Sequence, residues 1–235
     1  DFTTIPINSI ERIEIIKGNS AGVLYGAGAT AGAINIITDK LPGTKDEYFA
    51  STSFGSYGKN EVFVSGSKTF NEYSVKANFN NLVADGFRRN SALRQKNGNI
   101  ELNGIIDNNL SYHFNYAAHD QFNQLPGTVS KTLWDLGDYR SSANEADINI
   151  NNGHKFFFST DYSNNRMEIT FDGSYKFQRN QAYLQSAYST KSLDTTMDVF
   201  SFTPKIKLSS KLINYDFRSI IGLDLRYTFY DSDRV

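Results

Sequence analysis

The sequence predicts an all-β fold: an antiparallel up-and-down β-barrel whose strands cross a membrane, preceded by a short N-terminal unit of different character. Apolar and polar residues alternate with period two through most of residues 47–229, as strands with one apolar face require. Short polar turns alternate with long polar segments, so all the long connections fall at one end of the sheet. The run Tyr215–Phe229 keeps its alternation for 15 residues, where a globular strand has about 5–6.

Composition narrows the class. The chain has 235 residues, 24 basic and 25 acidic, for a formal charge of −1. It lacks the basic stripe of a nucleic-acid binder. With 39% hydrophobic residues and a mean hydropathy of −0.46 it is no polytopic helical membrane protein. Eighteen Phe and 14 Tyr against four Pro favour strands over helices and over disorder. With no Cys there is no disulfide scaffold and no thiolate metal site. Asp1 opens the chain without a basic or apolar leader, as a mature protein or an internal stretch would.

Taking the elements in order, residues 5–18 and 33–38 read as two strands around a Gly/Ala-rich stretch. Gly18–Thr38 carries no charge over 21 residues. Its glycines and polar residues dilute it too far for a membrane helix, which needs about 20 predominantly apolar residues. Gly26–Ala31 fits a GxGxxA dinucleotide fingerprint, with Asp46 20 residues beyond Gly26. The fingerprint requires a helix opening at those glycines, whereas the next residues, Ala33–Thr38, are β-rich. Tight turns are the expected use of these glycines.

The wall strands come next. Tyr73, Val75, Ala77 and Phe79 alternate with Ser74, Lys76, Asn78 and Asn80; Ile100, Leu102 and Ile106 with Glu101 and Asn103; Leu110 to Ala118 with Ser111 to His119; Met167 to Phe177 with Glu168 to Gln178. Weaker patterns near 47–55, 59–69, 155–162 and 200–209 bring the count after residue 46 to nine. Short turns lie at Asn71-Glu72, Asp107–Asn109, Ser163–Asn165 and Ser209–Lys211, with long segments at 82–95, 120–154 and 180–199. At about 3.3 Å per residue Tyr215–Phe229 extends about 46 Å and, tilted by about 40°, rises about 35 Å, enough for an apolar band of about 25 Å and its aromatic borders. Bacterial barrels have even strand counts and no edges in lipid, so barrel strands are expected to continue beyond Val235. His113 and His119 share a face but stand about 20 Å apart, too far to chelate one ion. Together with His154 they are expected as polar residues of the lumen or loops. The inward row Glu168, Asp172 and Lys176 reads as wet lumen wall.

Ile10–Lys40, IERIEIIKGNSAGVLYGAGATAGAINIITDK, resembles the end of the plug domain of the TonB-dependent outer-membrane receptors, whose wording runs close to IERIEVIRGP, LYG and GGxINIITK. ADGFRRNS at Ala84–Ser91 and QLPG at Gln124–Gly127 resemble segments of the family's early outer loops. Lys17 stands where Arg is usual, Asn19 where Pro is usual, and Ala31 replaces the first Gly of the pair. The resemblance implies a partial transmembrane up-and-down barrel preceded by the C-terminal part of a plug domain. Residues 1–43 would be plug and 44–235 the first nine or so strands of a barrel with about 22.

The implied function is nutrient import across the bacterial outer membrane, energised by the partner TonB, with no cofactor and no bond chemistry. Loops position function in such folds. The expected ligand-facing residues are Arg88, Arg89, His119, Trp134, Tyr139 and Arg140, since Arg and aromatics suit an anionic, ring-bearing cargo. The arginines equally suit lipopolysaccharide phosphates. Ferric siderophores or other metal chelates are the family's default cargo; cobalamin and sugars stay open. Arg12 and Glu14 share one strand face. In the family such charges pair with the barrel wall and seat the plug; the alternative is an ordinary exposed ion pair. Remaining partners would be outer-membrane lipid and lipopolysaccharide, around a monomer that binds no nucleic acid. A passive porin or adhesin is the competing reading, and a plug-like segment speaks against it. A barrel-embedded enzyme would need a His or carboxylate cluster at the rim, and none stands out.

Overall fold

The computed structural model describes residues 10–18, 29, 31–38, 46–185, 190–212 and 215–234. The chain divides into two units, Asp1–Pro42 and Gly43–Val235. In the first, Ile10–Lys17 (β1) pairs antiparallel with Gly32–Thr38 (β2), with Glu14 opposite Asn35 and Lys17 opposite Gly32. The glycine of the pair that this chain keeps is the one the backbone needs. Gly32 has φ +137°, and a Cβ there would meet the Ile16 carbonyl oxygen at 2.7 Å. Ala31, beside it, is exposed, so its methyl group has room. The first predicted strand residues, 5–9, and the fingerprint glycines Gly26 and Gly28 lie outside the described residues.

The second unit is one antiparallel meander. Its strands are Glu47–Phe54 (β3), Asn60–Thr69 (β4), Tyr73–Ala84 (β5), Leu93–Asp107 (β6), Leu110–Gln124 (β7), Ile148–Ser163 (β8), Met167–Gln185 (β9), Thr190–Leu212 (β10), Tyr215–Gly222 (β11) and Leu225–Arg234 (β12). They run in the order β11-β10-β9-β8-β7-β6-β5-β4-β3, with β12 also alongside β10. The predicted long strand Tyr215–Phe229 is thus two segments on one line. Lys205 pairs Gly222 and Phe202 pairs Leu225, so the register is unbroken across the gap. Pro204 sits opposite the gap. Its carbonyl accepts from the Leu223 N–H at 3.0 Å, but proline has no N–H to return the second ladder bond. Counting β11 and β12 as one line leaves nine wall strands among the described residues.

Alternation alone left open which face of the sheet is covered. The structure answers this. Polar side chains are buried: Asn80, Gln95, Asn97, Glu101, Gln121 and Ser159 are each at most 6% exposed. Apolar ones are exposed: Phe79 44%, Ile100 51%, Phe158 49% and Phe200 47%. A soluble sandwich would show the reverse. This distribution suits a wall with hydrocarbon outside and a polar interior. Among the described residues no helix is long and apolar enough to cross a membrane.

The expected long segments need correction. Residues 180–199 are not a free loop: β9 and β10 pair continuously from Met167↔Leu208 to Gln185↔Thr190. The sequence pattern fades there because both faces are polar, from Arg179 through Thr196, while backbone pairing continues. β8 begins at Ile148 rather than 155, with Ile148 and Ile150 alternating against Asn149 and Asn151. Among the described residues the outer connections are 55–59, 85–92 and 125–147.

Candidate functional site: outer loops and polar wall

Three connections meet at the end of the sheet opposite the short turns. In the turn 55–59, Tyr57 has a positive φ of 60°, and its carbonyl accepts from the Asp85 N–H at 2.8 Å. That bond ties the first connection to the second. The third, 125–147, contains a short helix, Lys131–Asp135 (α1), capped by the Ser130 hydroxyl accepting from the Leu133 N–H at 3.3 Å.

The second and third connections are clamped together by side chains. Arg88 donates from Nη1 to Gly127 O at 2.6 Å, from Nη2 to Pro126 O at 3.3 Å and to Ser141 O at 2.8 Å, and from Nε to Ser141 O at 3.1 Å. Asn90 Nδ2 contacts Leu125 O, Asn144 O and Asp147 O at 3.2, 2.7 and 3.0 Å. A guanidinium has five donors in a fixed fork, and here the fork holds carbonyls of one loop. Arg89 pairs with Asp138 at 2.6 Å. The ADGFRRNS and QLPG segments are therefore two halves of one clasp, a role for Arg88 that spacing did not reveal.

Arg140 faces the tip. Its Nε donates to Phe87 O at 2.8 Å, and the guanidinium carbon lies 5.9 Å from the ring centroids of both Tyr57 and Phe87. Those rings meet edge-on at 5.3 Å. Trp134 and Tyr139 form a second edge-on pair at 4.6 Å, with Trp134 58% exposed. The structure thus brings Trp134, Tyr139 and Arg140 into one loop with exposed rings. Tyr57 and Phe87 join Arg140, and no sequence signal marked them. His119 lies elsewhere, in β7 on the polar face, with Nε2 3.4 Å from Asn151 Oδ1.

His113 is also on the polar face, against Asn103. His154 is not. It opposes Ala118 and Phe177, and its ring stacks on Phe177 at 5.3 Å. The earlier start of β8 sets this parity, which puts His154 with Phe156 and Phe158 on the apolar face rather than in the lumen or a loop. Glu168 takes the Lys207 ammonium at 2.6 Å, and Asp172 accepts from Ser159 at 2.6 Å, as a polar wall would. Among the described residues no group of three or more His, Asp or Glu is placed to hold a metal ion.

In the N-terminal hairpin, Arg12 Nε and Glu14 Oε1 are 2.9 Å apart. Asn35 Nδ2 donates to Glu14 Oε2 at 3.3 Å. The Arg12 hydrogen bond, then that from Asn35, holds the Glu14 carboxyl below its ordinary range. Both side chains are about half exposed, so the pair itself contributes little.

Comparison with known proteins agrees with this architecture. Residues 1–33 match the family model of the TonB-dependent Receptor Plug Domain. Over 234 residues, 99% of the chain, it is 28% identical to the vitamin B12 transporter BtuB of Vibrio vulnificus, of which it spans 36%. Among solved structures, the unliganded ferric citrate transporter FecA aligns with a TM-score of 0.87 at 14% identity, over 98% of this chain and 36% of that one. The ferric yersiniabactin uptake receptor FyuA from Yersinia pestis aligns with a TM-score of 0.83 at 15% identity, over 96% and 37%. At such identities the structural likeness concerns the fold. The chain spans little more than a third of these proteins, which are transporters and receptors, not enzymes. The chain resembles the TonB-dependent receptors of the bacterial outer membrane, most directly through its plug-family segment over residues 1–33.

Proposed function

We propose that the protein captures a scarce small nutrient at its outer loops and imports it actively, with TonB as the energy-transducing partner. The observation that carries this reading is the order of parts. A plug-family segment leads directly into a meander whose polar face is buried and whose apolar face is exposed. A passive pore has no use for the first part. The capture residues are Trp134, Tyr139 and Arg140, with Arg88 and Arg89 holding their loop and His119 further down the wall. Exposed aromatic and arginine side chains favour a ring-bearing, anionic cargo. A ferric siderophore or related chelate fits that chemistry best. Domain limits follow as plug over 1–43 and barrel over 44–235. Arg12 and Glu14, an ion pair rather than an apolar surface, would seat a plug that has to be released.

The test is uptake of labelled ferric siderophores, haem and cobalamin in cells carrying the full-length gene, with and without working TonB. Uptake of one cargo that disappears without TonB supports the proposal and names the cargo. Equal uptake in both strains refutes it in favour of a passive pore.

A further inference from the structure

Charges on the polar face of the wall are matched from strand to strand. Lys76 opposes Glu101. Glu168 opposes Lys207 and takes its ammonium at 2.6 Å. Asp161 accepts from the Thr170 hydroxyl at 2.7 Å. One pairing departs from this pattern. Lys155 on β8 stands directly opposite Lys176 on β9, both on the polar face. Directly opposed side chains have Cβ atoms about 4.5–5.5 Å apart, and like charges there are destabilising.

The surroundings do not offset the repulsion. Ala117 lies opposite Lys155 on its other side, and Val199 opposite Lys176. Two residues along each strand stand Gly153, Phe157, Ser174 and Gln178. None is a carboxylate. The Lys155 ammonium lies over the Phe157 ring, 5.7 Å from its centroid, which gives it a wall but no counter-charge. Neither lysine is within ion-pair distance of an acid among the described residues. At Lys76–Glu101 and Glu168–Lys207 the chain supplies the opposite charge itself; here two cations stand side by side without one.

We propose that Lys155 and Lys176 form an anion seat on the lumen wall that takes a carboxylate-class group. Two ammonium groups on directly opposed residues suit two oxygens of one carboxylate, each through a charge-assisted hydrogen bond. The carboxylate comes either from an anionic cargo or from the protein itself. The cargo source rests on the import reading above; the seat itself does not, and it can be measured in purified protein whatever uptake shows.

The experiment uses the full-length receptor in detergent, with K155Q, K176Q and the double variant, and sodium citrate as probe against sodium chloride at equal ionic strength. Ligands that bind only the folded state raise its melting midpoint by mass action. If citrate raises the midpoint of the unaltered protein more than that of the double variant, with affinity at least tenfold weaker in the variant, the seat is open to cargo. If citrate acts on both alike but each Lys→Gln change lowers the midpoint without ligand, a carboxylate of the protein fills the seat. If citrate acts on the unaltered protein and the double variant alike, and the substitutions raise the ligand-free midpoint or leave it unchanged, the proposal is overturned. The single variants keep the test decisive should the double variant fail to fold.

Discussion

Arg88→Ala should release the loop 125–147 from the rest of the outer face without disturbing the wall beneath it. The side chain makes four hydrogen bonds to carbonyls of Pro126, Gly127 and Ser141. A hydrogen bond to a charged donor contributes about 1.5–3 kcal/mol when buried. The site is only partly buried, the freed carbonyls can take up water, and Asn90 still holds Leu125, Asn144 and Asp147. A local loss of about 2–4 kcal/mol is therefore the reasonable sum. At 1.4 kcal/mol per factor of ten, that is about a 30- to 700-fold rise in the loop's opening constant. Hydrogen exchange on the full-length receptor reads this directly at the amides of Ala143, Leu125 and Gly137, which donate to Pro126, Asp147 and Trp134 carbonyls. Arg88→Lys should recover only part of the protection, since an ammonium cannot span three carbonyls as a fork does. Unchanged exchange in Arg88→Ala would refute the clasp.

Other substitutions separate the remaining elements. Pro204→Val restores an N–H opposite Leu223 and should stabilise the wall by about 0.5–1.5 kcal/mol, seen as a higher temperature for loss of the compact band in detergent gels. Gly153→Ala places a Cβ against the Phe177 carbonyl oxygen and the His119 ring; overpacking of about 1–3 kcal/mol should lower the same temperature. Trp134→Ala with Tyr139→Ala should weaken capture of the transported cargo by about 1–2 kcal/mol, about 5- to 30-fold, with the melting temperature unchanged. The Glu14 carboxyl is held low in the folded hairpin, so the unfolded chain takes up the proton first. Its stabilisation is full above the ordinary glutamate range and is lost as pH falls from there through the lowered value. Exchange of β1–β2 amides in the receptor should show that loss, and Glu14→Gln should remove its pH dependence.

What could be foreseen depended on where water lies. Between Tyr73 and Phe79, or Met167 and Phe177, one face meets lipid and the other the polar interior, so side chains had to alternate and the strands were plain. Over 179–185 and 190–196 polar residues stand on both faces. Backbone pairing continues there with nothing in the side chains to mark it, and the strands passed for loop. His154 was misplaced because the strand was read as starting at 155; with β8 running from Ile148, His154 lies inside it and shares the face of Phe156 and Phe158. In the loops, Trp134, Tyr139 and Arg140 could be named by residue type. That Arg88 holds carbonyls of the third connection, and that Tyr57 and Phe87 meet Arg140, depends on contacts 30 or more residues apart in sequence, which no local pattern records. Pro204 was visible as a residue, but its consequence appears only once Leu223 is known to stand opposite.

Each wall strand pairs with the strand before and after it in the chain. Apart from the third connection, every one of these pairings is closed by a connection of eight residues or fewer. The chain-entropy penalty for bringing neighbours together is therefore small and is met one hairpin at a time. Such a wall can grow by accretion, each finished hairpin offering its free edge as the template for the next. The gap from Gln124 to Ile148 is where accretion should stall. There β8 must find β7 across the longest connection, and the clasp of Arg88 and Asn90 is already positioned on the β5–β6 side to gather that segment in.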